Sequence, residues 1–181
     1  MGFDIFLDLK FHDIPNTVAS AVAAAASLPK VRMMTIHASG GAAMMRAARE
    51  AVAGKKRLPA LLGVTILTSL DAAALRGVGV SGSPATRALA LARLAQDSGL
   101  DGVIASAHEA RAIRRACGPK FLIVVPGVRR ATAALNDQSR VATPAQAIRN
   151  GADYLVVGRP ITSDPNPRAA ALSVAAEIAS A

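Results

Sequence analysis

The chain has 181 residues, 52% of them apolar and 3% aromatic, with no Trp and a net charge of +9. That is enough for one domain with a sizeable core, and no apolar run reaches the roughly 18 residues a membrane-spanning helix needs. A lone cysteine, Cys117, excludes an internal disulfide and a multi-cysteine metal site, and the Ala-rich piece 18–26 has no basic leader, so the cytoplasm is the expected compartment. Lys and Arg number 21 against 12 Asp and Glu, but the basic residues are scattered along helical stretches (Arg46, Arg49, Arg87, Arg93, Arg111) with no stacking aromatics among them. An Arg-rich solvated surface that attracts an anionic metabolite is the better reading, and nucleic acid is not an expected partner.

Runs rich in Val, Ile and Leu recur at 3–10, 31–38, 60–67, 101–106, 121–128 and 153–158 and read as strands. Between them, amphipathic or Ala-rich stretches at 15–28, 41–53, 84–98, 107–116, 143–150 and 165–180 read as helices, with a short helical turn at 71–76. Strand followed by helix throughout predicts an α/β fold with a parallel sheet and helices packed outside. Six such units fit either an open six-stranded sheet or a closed (β/α)8 arrangement, the TIM barrel, which needs eight units and typically about 250 residues. In the second case six of eight units are present, and two units at the amino end, about 60 residues, lie outside this chain.

The first strand carries the most informative residues. Strand side chains alternate between faces, so Asp8 and Lys10 point the same way as Phe6, while Ile5, Leu7 and Leu9 point the other way, towards covering helices. Charges on an interior face are costly unless paired or used. Asp8, Lys10 and Asp13, at the carboxyl end of an α/β strand, therefore form a candidate site.

The last two strands supply its counterpart. One ends Val125-Pro126-Gly127-Val128-Arg129 and the other Val156-Val157-Gly158-Arg159-Pro160. In a barrel the loops after the final strands often bind phosphate. Gly158 admits close backbone approach, and Arg129 and Arg159 offer forked donors. The polar loop 130–143, with Asn136, Asp137 and Gln138, is long enough to fold over a ligand.

With these residues in view, the chain resembles the orotidine 5′-phosphate decarboxylase family. The run Asp8-Leu9-Lys10-Phe11-His12-Asp13-Ile14-Pro15-Asn16-Thr17 is similar to its signature, and the likeness continues through Thr35-Ile36-His37-Ala38-Ser39-Gly40-Gly41, Val64-Thr65-Ile66-Leu67-Thr68-Ser69, Pro126-Gly127-Val128-Arg129 and Val157-Gly158-Arg159-Pro160. The resemblance implies decarboxylation of orotidine 5′-phosphate to uridine 5′-phosphate in pyrimidine biosynthesis, with no cofactor and no metal. It implies that Lys10 protonates carbon 6 of the pyrimidine and that Asp8 sits beside the departing carboxylate. It implies a homodimer in which Asp13 and Thr17 reach the neighbouring site. Thr68 would contact the pyrimidine, and Arg129, Gln138, Gly158 and Arg159 would hold the phosphate. It also implies two further amino-terminal units, one contributing an Asp and the other a Lys; without them the sheet would have open apolar edges, and the expectation is a poorly soluble chain of little activity.

The chemistry suits the residue types. Loss of carbon dioxide from this ring position leaves a carbanion that the ring carbonyls do not delocalise, and the sequence has no motif for an electron-sink cofactor, so fixed charge is the expected source of stabilisation. A related Mg²⁺-dependent enzyme acting on sugar phosphates, or an inactive truncated remnant, are the alternatives. Other features read as structure. Gly77-Val78-Gly79-Val80-Ser81-Gly82 does not follow a strand and is expected to be a loop. Cys117 and the methionines Met33, Met34, Met44 and Met45 read as core filler. Asp13, just before Ile14-Pro15, could equally cap a helix.

Overall fold

The computed structural model describes residues 2–54, 58–129 and 142–181. Its strands are β1 (Ile5–Phe11), β2 (Val31–His37), β3 (Ala60–Val64), β4 (Gly102–Ile104), β5 (Leu122–Pro126) and β6 (Tyr154–Val156). The helices are α1 (Pro15–Ala25), α2 (Gly41–Glu50), α3 (Ala72–Gly77), α4 (Pro84–Asp97), α5 (Ala107–Cys117), α6 (Pro144–Arg149), α7 (Arg159–Thr162) and α8 (Pro167–Ala179). Helices α4 and α5 start on recognisable caps. Ser83 accepts from Thr86 N–H before Pro84, and Ser106 with Glu109 forms a reciprocal capping box on α5.

All strands are parallel and pair in strict sequence order, β1-β2-β3-β4-β5-β6. A doubly wound sheet reverses its strand order and carries helices on both faces. Here the order never reverses, and the two faces differ. One face packs Met34, Ile36, Leu61, Val103, Ile123 and Val125 against helix residues such as Val18, Met44, Ala92 and Ile113. The other collects only strand side chains: Leu62, Val64, Ile104 and Val124, with Phe6, Met33, Leu122 and Val156. A sheet with helices outside and strand residues inside is the wall of a (β/α)8 barrel, of which this chain supplies six units. Gly102 is required where β4 meets β5: a Cβ there would lie 2.3 Å from Leu122 O.

The first strand departs from expectation. Leu7 packs on the helical layer, but Ile5 and Leu9 are exposed, because β1 is an edge of the sheet and α1 packs chiefly against α2. Met34, Met44, Met45 and Cys117 are buried, as the composition predicts, and Met33 is partly buried on the interior face. Among the described residues no helix is long and apolar enough to cross a membrane.

The amino-terminal rim of the sheet is fastened by Asp–Arg clasps. Asp101 Oδ2 accepts from Leu61 N–H and pairs with Arg49 at 3.1 Å. Asp153 Oδ2 accepts from Ile123 N–H and pairs with Arg114 at 2.5 Å, while Arg114 also donates to the carbonyls of Gly118, Phe121 and Gly151. Asp4 pairs with Arg32 across the start of β1 and β2. Removing Arg114 strands a carboxylate and several carbonyls. Arg114→Met is expected to lower the unfolding free energy by about 2–3 kcal/mol in urea titrations, against less than about 0.5 kcal/mol for exposed Arg111→Met.

Candidate active site

Asp8 and Lys10 reach the interior face beside Phe6, with Lys10 Nζ 2.6 Å from Asp8 Oδ2. Both side chains remain partly open, 37% for Lys10 and 43% for Asp8, so water screens the pair until a ligand fills the space. The strand does not run straight into them. Leu7 pairs with Met34 and Phe11 with Ile36, so four steps along β1 match two along β2. A bulge absorbs the surplus, and within it Lys10 adopts φ +51°, a left-handed conformation that carries strain of about 1–2 kcal/mol for a non-glycine residue. Thr35 of β2, fully buried, bonds both partners: Lys10 N–H donates to Thr35 Oγ1 at 2.9 Å, and that hydroxyl donates to Asp8 Oδ1 at 2.8 Å.

A cavity of about 260 Å³ opens over the pair. Apolar walls come from Phe6, Val64, Ile66, Ile104, Pro126 and Val156, and polar groups from Thr68 and Ser69 in the loop after β3. That loop is held by its own small core of Ile66, Leu75 and Ala88. Asp71 caps α3 by accepting from Ala74 N–H, and Arg87 donates from Nε to Ser81 O and from Nη2 to Ser81 Oγ. In the glycine-rich stretch 77–82, Gly77 ends α3 and 78–82 form a loop, as its context predicts.

A second hollow, about 210 Å³, shares Pro126 and Val156 with the first and continues to Gly127, Arg129, Gly158 and Arg159. Arg129 is only 6% exposed, and its Nε is buried with no hydrogen-bond partner among the described residues. A largely buried guanidinium lining this hollow, with one N–H unsatisfied, suits an anion. Gly127, with φ +74°, turns the chain at the end of β5, and nothing stands within 4 Å of where a Gly158 Cβ would be. Gln138 lies outside the described residues.

Asp13 and Thr17 are exposed and line neither hollow. Asp13 borders a separate surface depression with His12, Ile14, Pro15, Ser39 and Gly40. It accepts from Ile14 N–H at 2.6 Å, while the N-cap of α1 is Ile14 itself, with no side-chain cap. The His12 and His37 rings lie 5.1 Å apart. Burial holds the His37 imidazole below its ordinary range, and His12 and Lys10 act in the same direction against an opposing pull from Asp8. Burial pushes the Cys117 thiol up, which fits an inert packed residue.

The family model described as "Orotidine 5'-phosphate decarboxylase / HUMPS family" matches residues 1–174. The chain belongs to this family. It is 54% identical over 177 residues to an orotidine 5′-phosphate decarboxylase of Nitrosococcus oceani, covering 98% of this chain and 76% of that protein. It is 56% identical over 180 residues to one of Halorhodospira halophila, covering 99% and 76%. Its fold superimposes on the crystal structure of orotidine 5′-phosphate decarboxylase from Lactobacillus acidophilus with a TM-score of 0.83 at 39% identity, covering 98% of this chain and 76% of that one. This member of the decarboxylase family therefore spans about three quarters of the length of these relatives.

Sequence reasoning assigned no role to Thr35, although a hydroxyl between Met33 and His37 on the interior parity of β2 was a usable signal. The lowered affinity of His37 for a proton sets a pH dependence. As pH falls, the unfolded chain takes up this proton before the folded chain does, so stability present at neutral pH is lost through the ordinary imidazole range. The melting temperature is expected to fall between about pH 7 and about pH 5, and His37→Gln to flatten part of that slope; an unchanged slope in the variant assigns the loss to other groups.

Proposed function

We propose that this chain decarboxylates orotidine 5′-phosphate to uridine 5′-phosphate, a step of pyrimidine biosynthesis, and acts as one decarboxylase barrel domain. Beside its family membership, one observation carries the reading. A 2.6 Å Lys10–Asp8 pair stands in a cavity that continues into a hollow with a buried arginine. That is one place for chemistry and an adjoining one for an anion.

The bond between ring carbon 6 and the carboxylate carbon breaks, the electron pair stays on carbon 6, and carbon dioxide departs. Lys10 Nζ donates a proton to carbon 6 and regains one from solvent. Asp8 pairs with the lysine ammonium and faces the departing carboxylate. The charge is in place before the carbanion forms, which is where preorganised electrostatics contribute most. Thr68 contacts the pyrimidine. Arg129, Gly158, Arg159 and Gln138 hold the phosphate, and that remote grip helps the chemical step by fixing the ring.

Asp13 and Thr17 are assigned to the partner's site in a cytoplasmic homodimer. Their exposure away from this chain's own cavity supports that assignment, as does the neighbouring Ile14, a 66% exposed apolar side chain.

The test is to supply orotidine 5′-phosphate with a chelator present and follow uridine 5′-phosphate and carbon dioxide. Turnover is expected to persist in the chelator and Lys10→Ala to lower kcat by about 10³-fold or more. A folded chain that forms no product above background overturns the reading, and a requirement for Mg²⁺ transfers it to sugar-phosphate chemistry. Arg159→Ala is expected to lower kcat/KM by about 10²-fold, measured on the same substrate.

A further inference from the structure

We propose that Thr35 is the positioning residue of the Asp8–Lys10 pair, its one buried hydroxyl holding the Lys10 backbone and the Asp8 carboxylate together. The kinetic consequence rests on the proposed decarboxylation; the structural one does not.

In a regular parallel ladder the Lys10 N–H would find a carbonyl on β2. The bulge between Leu7 and Phe11 takes it out of register, and the left-handed turn at Lys10 aims it elsewhere. It is the Thr35 hydroxyl that receives it, at 2.9 Å. A hydroxyl has a single proton. Since Oγ1 accepts from the backbone, its own proton is free to serve Asp8, and it donates to Oδ1 at 2.8 Å. The relay runs one way, from N–H to O–H to carboxylate. Its far end must accept, and a carboxylate oxygen of Asp8 does.

Oδ2 is then left for Lys10 Nζ, at 2.6 Å. Thus the two residues of the pair are joined twice, once directly and once through Thr35. A threonine that merely needed to satisfy itself in the core would manage with any one acceptor, as Thr65 does with Ile104 O. Thr35 instead spends both bonds on the two charged residues. It is fully buried, so water does not replace it, and its branched side chain has little rotamer freedom.

Thr35→Val removes the hydroxyl at nearly constant shape, and Thr35→Ser keeps the hydroxyl while losing a methyl. In Thr35→Val, kcat for orotidine 5′-phosphate is expected to fall about 10- to 100-fold with KM within about threefold, as displacement of a reacting group produces. Exchange of the Lys10 backbone amide, followed by NMR, is expected to accelerate about tenfold or more. Thr35→Ser is expected to recover most of both effects even where its melting temperature is lower than that of Thr35→Val. A Thr35→Val chain with kcat within about twofold of the parent, or a Thr35→Ser chain no better than Thr35→Val, overturns the proposal. If the parent chain does not turn over the substrate, the functional reading falls and the amide measurement decides alone: unchanged Lys10 exchange in Thr35→Val overturns positioning, and accelerated exchange rescued by serine supports it.

Discussion

Parallel pairing in strict sequence order is the constraint from which the rest follows. It sends every strand in the same direction, so all carboxyl ends share one rim and all amino ends the other. It also keeps the helices on one side, so the opposite face is formed by strand side chains alone. Residues far apart in the chain, Lys10 at the end of β1 and Arg129 just beyond β5, reach adjoining hollows for that reason and no other.

The two rims divide the labour. At the amino-terminal rim, Asp101 and Asp153 each accept a strand N–H and each pair with an arginine from an outer helix, which is hydrogen bonding spent on register. At the carboxyl-terminal rim the carboxylate of Asp8 is instead paired with a lysine that remains partly open, beside a backbone in an unfavoured conformation. Strain and incomplete burial stand at one rim, and carboxylates that each accept a strand N–H and an arginine stand at the other.

Much of this was legible in the residues. Periodicity located β2 at 31–38 where the strand is Val31–His37, and α4 at 84–98 where the helix is Pro84–Asp97, because long stretches average over local ambiguity. The common face of Phe6, Asp8 and Lys10 followed from alternation alone. Three things were not legible. α7 is four residues long and begins Arg159-Pro160, too short for any periodicity to register. Ile5 and Leu9 look like packed residues, but an edge strand has less to pack against. The bulge at Lys10 has no local mark either, since neither Gly nor Asn stands there; the N–H it turns aside is bonded by Thr35, 25 residues away. Asp13 and Thr17 share the signature stretch with Lys10, yet they open onto different surface, since the strand has ended and α1 is beginning.

Pro126 and Val156 border both hollows. One has its backbone angle locked by a ring and the other a branched side chain with few rotamers, so the boundary between the two spaces is stiff. The separation between the ammonium of Lys10 and the guanidinium of Arg129 is consequently a built-in ruler. On the proposed function, a molecule that fills both spaces must match that length, and one that carries the right ring without the distant anion, or the anion on too short a tether, can occupy only half of it. Selectivity in such a molecule is measured along a line, by span, before any individual atom of the ring is read.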